Sequence, residues 1–294
     1  MTFFIQMLIT GIVVGSIYGL VALGFVLIYR ASDVLNLANG EFVMIGAYIA
    51  VTFTMILNLP YWLAIIITLI LSGLLGVFVE KVILGPLRTA PVISVIMATI
   101  GLSSLLGGAV HMIWGHQNRS LPQVFPTTPY KIGDIIIQPV YLWSFVIVMV
   151  LLIIFSIFFK YSKIGIAMRA SADDQQAALS MGMSVKTIYA VTWIIAAVVA
   201  AVGGVLLGHI NGVTTQMAVI GLTVLPVVIL GGLDSILGAI IGGFLIGIIQ
   251  NLAGGYLDPL VGGGLKEVVP FIIVLLILMV KPHGLFGNRG IERV

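Results

Sequence analysis

The sequence predicts an all-α, polytopic helical membrane protein with eight or nine membrane segments, and three observations carry that expectation. Of 294 residues, 61% are hydrophobic and 8% charged, whereas soluble domains carry about 25% charged residues. The mean hydropathy is +1.25, so lipid is the solvent of most of the chain. Apolar runs recur along the whole length, at 4–29, 34–58, 61–79, 92–114, 139–159, 187–209, 217–231, 236–257 and 267–280, uncharged except for Glu41 near the start of the second and Glu267 at the edge of the last.

The first run has no basic residue before it, exceeds a typical signal-peptide core, and leads into Tyr29-Arg30 rather than a small-residue cleavage site. It reads as a retained membrane helix. Gly11, Gly15 and Gly19 form a ladder at spacing four along one of its faces, the pattern that lets helix backbones approach closely in lipid. Packing within the chain is the plain reading of that ladder, and a subunit interface is the other.

The second run opens on Asn36, Asn39, Gly40 and Glu41. Asn39 is placed to cap the helix, with Glu41 in its first turn and favoured by the helix dipole. The same residues are also suited to line a polar part of a pathway, since ionisable groups inside membranes usually serve function and broken helix starts often build such sites.

Two polar connections interrupt the apolar runs. The connection 160–186 is the more informative. From Ser171 it reads as a short helix capped by Ser171 or Asp173. Asp173 and Asp174 suit the dipole's positive end, and Gly182 stops the helix. Leu179 and Met181 give it apolar character, as expected of a connector on the headgroups or of a docking ridge for a soluble partner.

The run 217–231 is short and holds Pro226, so a broken or re-entrant piece is expected there. The run 236–257 repeats the glycine ladder at Gly238 and Gly242, then at Gly243 and Gly247. A faint echo links residues 101–107 with 232–238, five of seven positions matching, which hints at two related halves.

With the 160–186 connection in the cytoplasm and alternation outward from it, ten of the 13 Lys and Arg fall on the inner side. The exceptions are Arg119, Lys131 and Lys266. Nine crossings with the N-terminus outside and the C-terminus cytoplasmic fit this asymmetry.

Composition also removes whole classes. With no cysteine there is no thiol chemistry, and four scattered histidines make no zinc motif. No basic run marks a nucleic-acid partner, and no GxxxxGK[ST] loop marks nucleotide hydrolysis. No cofactor or metal site is expected. A secondary transporter should carry acids at the centre of its spans, and no confident run shows one. A channel filter is likewise not visible, nor is a polar cluster suited to a membrane enzyme.

Gln176-Ala177-Ala178, followed after three residues by Gly182, resembles the EAA-x-x-x-G coupling-loop pattern of ABC importer permeases. Gly165, Arg169, Ala170, Asp173 and Asp174 more specifically resemble the branched-chain amino-acid permease family of the LivH type. Residues 36–42 with 44–48, residues 230–235 (with Gly231 and Gly232) followed by Gly238-Ala239, and the stretch Lys281 to Gly287 point the same way. Gln176 departs from the general pattern, which has an acid there.

The resemblance implies one permease transmembrane domain over 1–294 with a cytoplasmic coupling loop at about 160–186. It implies a bacterial plasma (inner) membrane protein paired with a second, related permease subunit. Two cytoplasmic ATPase subunits would energise it, and a periplasmic binding protein would supply it. Gly165, Arg169, Ala170, Asp173, Asp174, Gln176, Ala177, Ala178 and Gly182 are the expected ATPase-coupling residues. Asn36, Asn39, Gly40, Glu41, Gly231 and Gly232 are the expected path residues. Branched-chain or other hydrophobic amino acids rank first as substrates, and urea or amides second.

Overall fold

A computed structural model of the chain describes residues 2–88, 90–173 and 175–287. In order, the elements are α1 (Thr2–Ser32), α2 (Asn39–Val51), α3 (Tyr61–Phe78), α4 (Val92–Trp114), β1 (Tyr130–Ile132), β2 (Ile135–Ile137) and α5 (Pro139–Tyr161). Then come α6 (Lys163–Asp173), α7 (Gln175–Ser180), α8 (Val185–Asn211), α9 (Ile220–Gly231), α10 (Ile236–Tyr256), α11 (Asp258–Val261) and α12 (Leu265–Val280). A π-helical turn, Thr52–Ile56, prolongs α2. A π turn, Val79–Leu84, and a 3-10 turn, Gly85–Leu87, prolong α3. A 3-10 turn, Thr215–Val219, leads into α9.

Every apolar run has its helix, and among the described residues seven helices are long and apolar enough to cross a membrane. The segments 215–231 and Leu265–Val280 are shorter. The antiparallel hairpin of β1 and β2 lies in the polar connection 115–138 and is not announced by any apolar run.

The centre of the bundle is α1, whose residues 20–23 and 25–28 are buried on every side, as befits a helix apolar all round. Its glycine ladder packs within the chain. A Cβ on Gly11 would sit 2.8 Å from Ile248 Cα, and one on Gly15 would sit 2.6 Å from the Gly243 carbonyl. The ladder of α10 divides between two faces. Gly243 and Gly247 meet α1, while Gly238 and Gly242 meet Gly231 and Val227 of α9. The sequence echo has no such meaning. Residues 101–107 lie inside α4, whereas 232–235 form the turn between α9 and α10 and 236–238 start α10, so the two stretches are not equivalent positions.

Helices α1 and α8 run antiparallel, with Gly24 beside Ala196 and Gly203 beside Val21 and Ile17. This defines two ends. At one, Gln6 of α1 reaches the Ile136 carbonyl of the hairpin, and Arg119 and Val213 exchange backbone hydrogen bonds of 2.9 and 2.7 Å. At the other, Arg30 lies over the Phe159 ring of α5, and the segment after α12 joins the end of α9. We refer to them as the hairpin end and the tail end.

Candidate translocation and coupling sites

The chain leaves α1 at Ser32 and turns back into the bundle as a non-helical link, residues 33–38. Inside that link the Asn36 side-chain oxygen accepts from the Ala38 N–H at 3.1 Å. The Asn39 N–H donates to the Asn36 carbonyl at 3.3 Å. The expected cap is thereby corrected, because Ala38 holds the capping position without a side-chain bond and Asn39 is the first helical residue. The Asn39 amide instead donates to the Val21 carbonyl of α1 at 3.4 Å. An amide that satisfies a carbonyl of another helix fixes the depth at which α2 begins.

That depth is inside the bundle, and a second helix begins at the same place. Residues 212–219 enter from the hairpin end, and the first turn of α9 meets the first turn of α2. A Cβ on Gly221 would lie 2.6 Å from the Gly40 nitrogen. One on Gly40 would lie 2.9 Å from the Gly221 nitrogen and closer still to the Ala218 carbonyl oxygen. Two irregular stretches thus enter from opposite ends and start their helices face to face. Non-helical backbone at such depth is tolerated only where protein or a watery cavity covers it.

Glu41 sits in this junction with 8% of its surface exposed. One carboxylate oxygen accepts a hydrogen bond from the Ser103 hydroxyl, halfway along α4. The other oxygen has no partner among the described residues, and neither does the Asn39 side-chain oxygen. The expectation that no acid lies near the centre of a span is therefore corrected. The acid starts its own helix, but that start is buried against the middle of another. If Glu41 contributes to a path, Glu41→Gln should cut transport severalfold while assembly and ATP hydrolysis persist. A drop of only about 0.3–1 kcal/mol in stability with intact transport would mean that Glu41 serves the helix dipole alone; uptake by vesicles and thermal melting of the purified complex separate the two.

Gly231 and Gly232 have different neighbours. Gly231 packs against Gly238, and Gly232, at φ 104°, lies against Phe286 and Gly287. The Leu285 and Phe286 N–H groups donate to the carbonyls of Leu230 and Gly231 at 2.8 and 3.1 Å. Gly284, at φ 76°, is what lets the segment turn there, 2.6 Å from the Ile229 carbonyl by its absent Cβ. Two separate stretches of the family resemblance are thus one structural joint.

The 160–186 connection is helical over 163–173 and over 175–180, so helix begins eight residues before Ser171. Ser162, not Ser171 or Asp173, caps the first, its hydroxyl accepting from Gly165 N–H at 2.9 Å. Ser171 is buried in α6 and Asp173 lies two residues further along it, so neither stands at a helix start. Asp174 lies outside the described residues, while Gln176 and Ala177 belong to α7. Gly165 lets α6 press onto the last turn of α5, for a Cβ there would come 2.8 Å from the Phe158 carbonyl. Arg169 then donates to the carbonyls of Phe159 and Lys160, satisfying the orphan acceptors of that helix end. Ala170 lies half-buried on the same helix.

Ala178 is 3% exposed, so its small side chain fits this chain's own packing rather than a partner's surface. Gly182, at φ 80°, ends α7 as expected. Its N–H donates to Leu179, and the Met183 N–H donates to Ala178, the paired pattern of a glycine helix stop. What faces outward at this end is apolar. Tyr161, Ile164, Ile166, Leu179 and Met181 are all exposed, Met181 at 79%.

A bundle with this many long apolar helices, and with α2 and α9 beginning inside it, fits a multi-pass membrane protein. The chain belongs to the family described as branched-chain amino acid transport system / permease component, whose model matches residues 7–278. It is 30% identical to the high-affinity branched-chain amino acid transport system permease protein LivH of Escherichia coli (strain K12), across 99% of this chain and 98% of that one. The permease protein BraD of the corresponding system in Pseudomonas aeruginosa is also 30% identical over the same shares. Among solved structures, PsaBC from Streptococcus pneumoniae in complex with Fab aligns with 96% of each chain at 16% identity and a TM-score of 0.49.

Proposed function

We propose that this chain is the permease subunit of an ATP-binding cassette importer and forms part of the pathway for branched-chain or other hydrophobic amino acids. In this reading it pairs with a second permease subunit, receives substrate from a periplasmic binding protein, and is driven by two cytoplasmic ATPases. The observation that carries the reading is full-length similarity to permeases named for branched-chain amino acid transport. The junction of Asn39, Gly40 and Glu41 with the start of α9 supports a path, because broken helices in transporters collect polar groups at that depth. Asn36 belongs to the link that leads there.

The tail end faces the cytoplasm and the hairpin end the outside, with nine crossings. Lys and Arg distribution supports this, since Arg30, Lys81, Arg88, Lys160, Lys163, Arg169, Lys186 and Lys281 all fall toward the tail end. The ATPase seat is the ridge of Ile164, Ile166, Leu179 and Met181, with Gln176 beside it. Gly165 and Arg169 hold that ridge to α5 rather than touching the ATPase.

The natural absence of cysteine provides a clean test. Met181→Cys and Asn118→Cys should react with an impermeant maleimide from opposite sides of the membrane, and bound ATPases should protect only Met181→Cys. Labelling of both from one side would sink the topology. Equal labelling of Met181→Cys with and without the ATPases would sink the docking assignment.

A further inference from the structure

Between α1, α5 and α8, in the half of α5 nearer the tail end, lies a groove with about 650 Å³ of atom-free space. Leu20 of α1, itself buried, is its floor. Four residues of α5 between Leu151 and Phe158 and four of α8 between Ile195 and Val202 form the walls, all of them apolar. From Leu151 to Phe158 the groove follows α5 for about 10 Å, and it stops one turn short of that helix's end at Tyr161. Water finds no polar partner there, and an empty groove forfeits the dispersion contacts of its lining. At membrane depth, hydrocarbon is what fills such a space.

Directly below the groove the chain gathers cations. Phe155, in the wall, stacks on Phe159 with ring centres 6.1 Å apart and planes 19° apart. Over that one Phe159 ring lie two guanidinium groups, Arg30 of α1 at 5.7 Å and Arg169 of α6 at 5.5 Å. Lys160 is the next residue, its ammonium 5.2 Å from the centre of the Tyr161 ring, and Lys163 opens α6. Among the described residues no carboxylate is ion-paired with any of these four. Like charges gathered on one ring repel each other, and an anion placed among them turns that repulsion into attraction.

We propose that the groove and these cations together hold one anionic phospholipid. An acyl chain lies between α5 and α8 against Leu20. Arg30 and Lys160 take the phosphate, and Arg169 and Lys163 add to the positive field. A zwitterionic headgroup carries its own cation into that field and is disfavoured. The headgroup ties α1 to α6, since Arg30 belongs to one and Arg169 to the other, and so steadies the helix that Gly165 presses onto α5. The site stands apart from the importer reading; only its placement in the cytoplasmic leaflet follows from the topology above.

The test is native mass spectrometry of the full-length chain, purified in mild detergent with its co-purifying subunits. It is titrated with dioleoyl phosphatidylglycerol or with the phosphatidylcholine of the same chains. One phosphatidylglycerol per chain should be retained, roughly tenfold more tightly than phosphatidylcholine, and glycerol 3-phosphate, which lacks the chains, should not displace it. Arg30→Gln should weaken retention roughly fivefold. Val199→Trp, which fills the groove, should abolish selective retention, whereas Leu74→Trp on an exposed face of α3 should not. Melting temperatures confirm that the variants fold, and the wild-type comparison decides even where one does not. Equal retention of the two lipids, displacement by glycerol 3-phosphate, or unchanged retention in folded Arg30→Gln and Val199→Trp would overturn the site. Release of a second permease subunit by Val199→Trp with lipid retention intact would assign the groove to that subunit and overturn it as well.

Discussion

Alanine at position 40 is expected to abolish most ATP-driven uptake and to lower the melting temperature of the complex, while alanine at 101 or 108 leaves both near wild type. The contrast comes from what a methyl group would meet. At Gly40 it meets the Ala218 carbonyl and the Gly221 nitrogen, both backbone atoms that cannot rotate away. At Gly101 and Gly108 it meets nothing within 4 Å. Overpacking of this kind costs at least about 1–3 kcal/mol, and here relief requires α2 and α9 to separate. Glu41 would move with α2 and lose Ser103. Normal melting and normal uptake in Gly40→Ala would show that the two helix starts do not depend on their contact.

Leucine at position 165 should give a chain that inserts and folds its bundle yet fails to couple ATP hydrolysis to uptake. Gly165 lies against the final carbonyls of α5, with Arg169 tethering α6 from four residues on. A branched side chain lifts α6, releases those carbonyls and shifts the ridge that carries Ile164 and Ile166. A displacement costing 1–3 kcal/mol corresponds to roughly a tenfold or greater loss of docking. ATPase co-purification and uptake report the outcome, with Ile166→Leu as the mild control. Full retention and normal uptake in Gly165→Leu would remove α6 from the coupling path.

Much of the bundle was legible because lipid imposes one constraint on every span. The run 92–114 coincides with α4, and the run 236–257 differs from α10 by one residue. Hydropathy could not reveal where a span becomes helical. Val34, Leu35 and Leu37 are as apolar as the helix that follows, yet they form a link, since burial among other helices suits either conformation. Nor could it foretell that Ala178 turns inward, for an alanine within a mostly polar stretch carries no mark of the side it faces. The coupling residues were legible as a pattern, but the reason for Gly165 and Arg169 lies with α5, which the pattern does not mention. Family resemblance alone sets Gly231 and Gly232 beside the path residues. Their spacing carries no trace of the distant segment that they accommodate.

That joint bears on how the protein is made. Leu230 and Gly231 leave the ribosome with their carbonyls unmatched, and the groups that complete them, the N–H of Leu285 and Phe286, follow only after α10 and α12 have been synthesised. The 281–287 segment is therefore the last part of the chain able to complete the end of α9, and this joint closes only once the final helix has been made.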